Sequence, residues 1–152
     1  MKKSIVGFVV FFTIVFLSSI SCSSNKGLII PNDEEKIAFN QTKGDTITIA
    51  NEEVEYEIII IEPGYNYWLQ SIAKPEGYYS QQFLENRNNI WVIEWNQRVN
   101  QPQRFDPNLY ELMINYSPHI DYGYDVNYKL YNYFIYFQRK YNQRLGTFLP
   151  RI

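Results

Sequence analysis

At 152 residues and a formal charge of −2, the chain has room for one ordinary domain with a real core, and its mild acidity argues against a nucleic-acid face. A lone cysteine, Cys22, rules out an internal disulfide, and a lone histidine, His119, leaves too few soft ligands for zinc. Fourteen tyrosines, apolar in the ring and polar at the tip, suit half-buried positions.

The chain opens on Lys2-Lys3, runs apolar from Ile5 to Leu17, and continues Ser18-Ser19-Ile20-Ser21-Cys22. The pattern reads as a lipoprotein signal: residues 1–21 are removed and the Cys22 thiol carries the lipid. Ser21 has the small side chain that such a cleavage site needs, while Ser19 stands where leucine is usual. The apolar run is shorter than the roughly 20 residues of a spanning helix. Residues 22–44 follow as a lipidated tether, polar and charged through Asp33-Glu34-Glu35-Lys36, with Leu28-Ile29-Ile30 as the part suited to dock. Residues 45–152 are expected to form a single α+β domain.

Asp45 to Glu62 predicts a β-hairpin. Ile47 and Ile49 alternate with threonines, Asn51-Glu52-Glu53 turns the chain, and Val54, Tyr56, Ile58 and Ile60 share one face of the return strand. Ile58-Ile59-Ile60-Ile61 is apolar on both faces, which predicts a central strand covered by helices. Tyr65–Ala73 reads as a short helix or irregular turn. Ser80 is positioned to cap a segment reaching about Asn100, in which Leu84, Trp91, Trp95 and Val99 form a helical stripe. Asn88 interrupts that stripe and predicts a break, and Ile90–Trp95 is also β-prone.

Leu109–Tyr116 alternates as a third strand would. Asp125 is placed to cap the clearest helix, running to about Leu145 and stopped by Gly146. Val126, Leu130, Tyr133, Phe134, Phe137 and Tyr141 line one face of it. Tyr128, Tyr131 and Ile135 widen the apolar arc past half the circumference, so most sides should be enclosed. The fold class is therefore α+β: a small antiparallel sheet packed by two or three helices, the longest at the C-terminus.

No nucleophile–base motif, phosphate-cradling glycine loop or dinucleotide fingerprint is present, and no cofactor or catalytic residue is indicated. Asp121 to Asn127 alternates oxygen ligands like a calcium loop but lacks its closing glutamate, so a helix cap is the simpler reading. The densest polar and aromatic stretch supplies the candidate binding residues Arg87, Trp91, Glu94, Trp95 and Arg98. On a helix, Glu94 and Arg98 are spaced for an ion pair and Arg87 for stacking on Trp91. A cleft with carboxylates and aromatic platforms would suit a glycan, with Asn96, Gln97 and Gln101 as amide neighbours. A charged edge closing over the core is the plainer expectation.

Several segments carry a family resemblance: Tyr56-Glu57-Ile58-Ile59-Ile60-Ile61-Glu62-Pro63-Gly64, Gly77-Tyr78-Tyr79-Ser80, Glu85-Asn86-Arg87, Glu94-Trp95-Asn96-Gln97-Arg98, Asp106-Pro107, Asp121-Tyr122-Gly123 and Leu130-Tyr131-Asn132-Tyr133-Phe134. From about Asp45 to Leu145 the chain resembles a family of short lipoproteins of Bacteroidetes-type bacteria, a domain of unknown function. The resemblance implies a cell-envelope protein with no assigned activity. In such bacteria Ser23, not being aspartate, fits passage to the outer membrane. The expected function is a membrane-anchored, non-catalytic protein-binding or structural component, with the membrane as partner through the lipid anchor, another envelope protein or a glycan beside it, and no nucleic acid. The alternatives are a glycan or peptidoglycan binder, or a hydrolase using Glu85 or Glu94 in a shared open pocket.

Overall fold

The computed structural model describes residues 29–41 and 46–152. The signal segment 1–21, Cys22 and the tether residues 22–28 and 42–44 lie outside them. The elements in order are α1 (Asp33–Phe39), β1 (Thr46–Asn51), β2 (Tyr56–Ile61), α2 (Tyr65–Ser71), α3 (Gln81–Val99) and α4 (Gly123–Lys140). This is an α+β fold, with a two-stranded antiparallel sheet and four α-helices among the described residues, the last near the C-terminus. At 18 residues α4 is one shorter than α3, where the sequence predicted it to be the longest.

The hairpin forms where the alternation placed it. Its register runs from Thr46 opposite Ile61 to Asn51 opposite Tyr56. The Asn51 side chain accepts from the Glu53 amide, and Glu55 closes the turn in the left-handed region. Ile49, Tyr56 and Ile60 are buried on the inner face. The prediction that β2 is central and covered is corrected. It is an edge strand, and Ile59 and Ile61 stand 57% and 72% exposed on its outer face.

The reason lies in Leu109–Tyr116, which is irregular and joins no sheet. Backbone polar groups must find partners, and α3 supplies them to this segment through side chains. Asn96 donates Nδ2 to the Ile114 carbonyl and accepts the Ile114 amide on Oδ1, both at 2.8 Å. Trp95 Nε1 donates to the Leu112 carbonyl at 2.8 Å. Leu112 and Met113 are left outside.

α3 is one continuous helix, capped by Ser80 at the Phe83 amide. The expected break at Asn88 and the strand alternative for Ile90–Trp95 are both corrected. Asn88 is fully buried and donates to Asn127 on α4, at its carbonyl (3.0 Å) and its Oδ1 (3.1 Å). Tyr116 Oη donates to the same Asn127 oxygen at 2.8 Å. A polar residue in an apolar stripe is tolerated when its donors are met across the helix interface, although the Asn88 Oδ1 itself has no partner among the described residues.

α4 is the centre of the core. Leu130, Phe134, Tyr136 and Gln138 are wholly buried, and rings from every side pack on it: Trp91 on Tyr131, Trp95 on Phe137 and Trp68 on Tyr136. Both predicted ends shift. Tyr122, not Asp125, occupies the cap position, and Asp121 Oδ1 accepts the Gly123 amide. Asp125 instead pairs with Lys129 within the first turns. At the other end the helix stops at Lys140, and Asn142 adopts positive φ ahead of Gly146.

The last part of the predicted tether is docked. Asn32 and Glu35 form a reciprocal capping box that starts α1. Glu35 is fully buried and ion-paired with Arg139 on α4, and also accepts from Trp68 Nε1. α1 crosses so close to Gly64 that a β-carbon there would lie 1.9 Å from the Ala38 carbonyl oxygen.

Candidate functional site

The five residues singled out by sequence all lie on α3, but they do not make one site. Trp91 and Trp95 are 1% and 5% exposed, with their faces covered by core rings. Neither offers a platform for a sugar. Arg87 lies over Phe148 (3.4 Å to the ring centre) and Phe83 (5.2 Å), rather than over Trp91. The Glu94–Arg98 pair does not form. Arg98 donates Nη1 to Tyr110 Oη at 2.6 Å and Nη2 to the Arg144 carbonyl, and its guanidinium lies over Phe105 at 4.9 Å. Aromatic faces, the Tyr110 hydroxyl and a carbonyl hold the guanidinium in place of the half-buried Glu94 carboxylate.

Glu85 and Glu94 are nine residues apart, which on a helix puts them on opposite sides. Glu85 accepts from Gln81 Nε2, while Glu94 borders a different depression. The shared open pocket needed for two-carboxylate chemistry is not built between them. Asn96 is committed to Ile114, which leaves Gln97 and Gln101 as the outward amides. Among the described residues no three His, Cys, Asp or Glu side chains gather as a metal site. Asp121 is taken up by Gln81 and the Gly123 amide.

Arg87 and Trp91 do border one depression together, of about 470 Å³, beside Phe148 and Arg151. Two other concavities among the described residues bear on function. The first is a polar cleft of about 730 Å³ between the C-terminal half of α3 and the turn after α4. It is bordered by Glu94, Arg98, Gln101, Arg104, Gln143 and Arg144. The second is an apolar groove of about 660 Å³ between the outer edge of β2 and the 108–115 segment. Its lining includes Leu130, Tyr133 and Phe137 of α4, and the exposed side chains of Ile59, Ile61, Leu112 and Met113 flank it. Burial, with Glu62 and neighbouring tyrosines adding to it, pushes the Tyr133 hydroxyl well above the usual tyrosine range. Burial and the Glu62 hydrogen bond do the same for Tyr141. The tyrosines of this groove are therefore neutral at physiological pH. Among the described residues, the backbone of β2 makes strand hydrogen bonds with β1 alone.

A family model described as a family of unknown function, DUF6146, matches residues 9–149. The chain belongs to the DUF6146 family. That match takes in every element described above and part of the apolar segment before Cys22. No curated protein and no solved structure matches the chain. DUF6146 membership therefore brings no catalytic residue with it. Among the described residues no helix is long and apolar enough to cross a membrane.

The sequence does not foretell the groove, because the alternation of Leu109–Tyr116 predicts a third strand of the sheet and the run Ile58–Ile61 predicts a cover of helices. The available signal was the run Ile58–Ile61, apolar on both faces, combined with Leu112-Met113. That much adjacent apolar sequence needs a cover that the hairpin alone cannot give. Arg104 and Arg144 were missed for a different reason. Arg144 meets Arg98 only through the turn at Asn142, where the sequence predicts helix, and Arg104 meets it at the Phe105 ring in the loop after α3.

Proposed function

We propose that this DUF6146 chain is a cell-envelope lipoprotein of Bacteroidetes type, anchored through acyl chains on Cys22, with the outer membrane as its destination. Its domain is a non-catalytic protein-binding component. The observation that supports the binding role is the open edge of β2 beside the apolar groove. A free strand edge presents unpaired N–H and C=O groups and is a template for another chain. An extended peptide can add to such an edge, its backbone giving affinity and its alternate side chains entering the groove. Glu55, Glu57 and Glu111 border the groove and form no ion pair among the described residues. The occupant that fits is an extended segment of a partner protein in which basic and apolar residues alternate.

Two measurements test the two halves. Fluorescence anisotropy of a labelled eight-residue Lys/Val-alternating peptide, titrated with the full chain in nonionic micelles, should show saturable binding. N-methylation of alternate backbone amides should weaken it at least tenfold, and Ile59→Lys should do the same. Equal binding of the methylated peptide would reduce the interaction to non-specific charge and overturn strand addition. For the anchor, Cys22→Ala should abolish incorporation of labelled palmitate and leave residues 1–21 attached. Unchanged labelling would remove the lipoprotein reading while leaving the groove untouched.

A further inference from the structure

The polar cleft is electrostatically opposite to the molecule that carries it. The whole chain has a formal charge of −2. The side chains bordering the cleft bring together Arg98, Arg104 and Arg144 against the single carboxylate of Glu94. None of the three arginines forms an ion pair among the described residues. Arg98 is part-buried, and its Nε is shielded from solvent with no hydrogen-bond partner. A cation withdrawn from water without a counter-charge is costly, and guanidinium groups match phosphate oxygens in shape and donor spacing.

The arginines are also positioned in advance. Arg98 and Arg104 lie against the same ring, Phe105, at 4.9 and 5.6 Å. Arg98 is further fixed by Tyr110 Oη and the Arg144 carbonyl. Arg144 is braced by donating Nε to the Gly146 carbonyl (3.2 Å) and Nη2 to the Thr147 carbonyl (2.7 Å). Like charges held together without a carboxylate between them store repulsion that a bound anion would relieve. The cleft volume is in the range of small-molecule sites and far exceeds one phosphate. Gln97 and Gln101 provide amides suited to hydroxyl groups. Ile29, also on the border, is seven residues from Cys22, so an anchored chain would hold the cleft within about 25 Å of the bilayer surface.

We infer that this cleft binds a phosphorylated polyol, with the phosphate on Arg98, Arg104 and Arg144 and the hydroxyls on Gln97 and Gln101. The chemistry is shared by a lipid headgroup and by a free sugar phosphate. The site is separate from the β2 groove and does not depend on the protein-binding reading.

Calorimetric titration of the full chain in polyoxyethylene-ether micelles, at 50 mM salt, decides it. Glucose 1-phosphate should bind with a submillimolar Kd, and glucose at least tenfold more weakly. Arg104→Gln should weaken glucose 1-phosphate at least tenfold with an unchanged melting temperature, since Arg104 is exposed. Arg98→Lys should weaken it as well. Because Arg98 also braces the fold, Arg104→Gln is the deciding variant. Micelles doped with phosphatidylinositol distinguish the sources. Competition with glucose 1-phosphate assigns the site to a lipid headgroup, and undiminished binding assigns it to a free sugar phosphate. Equal affinity for glucose and glucose 1-phosphate, or wild-type affinity in Arg104→Gln, overturns the inference.

Discussion

Gly64 is the residue on which the docking of α1 turns. It sits at φ +84, a region that costs an L-residue about 1–2 kcal/mol, and the Ala38 carbonyl fills the space where a β-carbon would go. Gly77 provides an internal comparison, at φ +83 with nothing within 4 Å of the same position. Gly77→Ala should therefore cost about 1 kcal/mol, conformational strain alone. Gly64→Ala should cost about 2–4 kcal/mol, because α1 must also move. Urea unfolding of the two variants measures the difference, and equal losses would show that α1 does not bear on Gly64. Asn88 teaches a related lesson. From sequence it is a polar flaw in a stripe, and only its partner Asn127, thirty-nine residues on, makes it a bridge.

At the scale of elements, local pattern was readable and long-range partnership was not. The hairpin, the Ser80 cap and the enclosed face of α4 follow from alternation, capping chemistry and helical period. The 109–116 segment has the alternation of a strand, yet strand pairing depends on a neighbour offering a free edge in register. The side chains of Asn96 and Trp95 meet its backbone first. The candidate site diverged for the same reason. Spacing sets Glu94 beside Arg98 and Arg87 beside Trp91, but Phe148, Phe105 and the 142–146 turn decide what each one meets. Asn96→Ala tests the account of the segment. Losing two hydrogen bonds and leaving the Ile114 amide and carbonyl unmatched should cost about 1–3 kcal/mol. Amide exchange at Ile114 should accelerate at least tenfold, with the exchange of α4 core amides unchanged at matched stability. Unchanged exchange at Ile114 would mean that something other than Asn96 holds the groove wall.

At the scale of the molecule, one ion pair joins the two ends of the described chain to its centre. Arg139, on the enclosed helix α4, pairs with the buried Glu35 and also donates Nη1 to the Pro150 carbonyl at 3.0 Å. The lead-in from the amino terminus and the tail at the carboxyl terminus thus meet on one guanidinium. Burial by itself would raise the Glu35 carboxyl. The Arg139 hydrogen bonds, the Asn32 amide and the Arg139 charge outweigh it and hold the group below its ordinary value of 4.5. A carboxyl with a lowered folded-state pKa contributes stability that is fully present above the unfolded value. That contribution is lost as pH falls through the folded one. The melting temperature should therefore be flat in this contribution above pH about 5 and fall as pH drops below about 4.5. Glu35→Gln should lower stability by about 3–5 kcal/mol at pH 7, because Arg139 is left buried without its counter-charge. The gap to wild type should then close on acidification, as the native carboxyl is itself neutralised. Thermal unfolding of both proteins from pH 7 to pH 3 reads this directly. Parallel curves across the whole range would show that the pair does not bind the two ends to the core, and that α1 is carried by its capping box and apolar contacts alone.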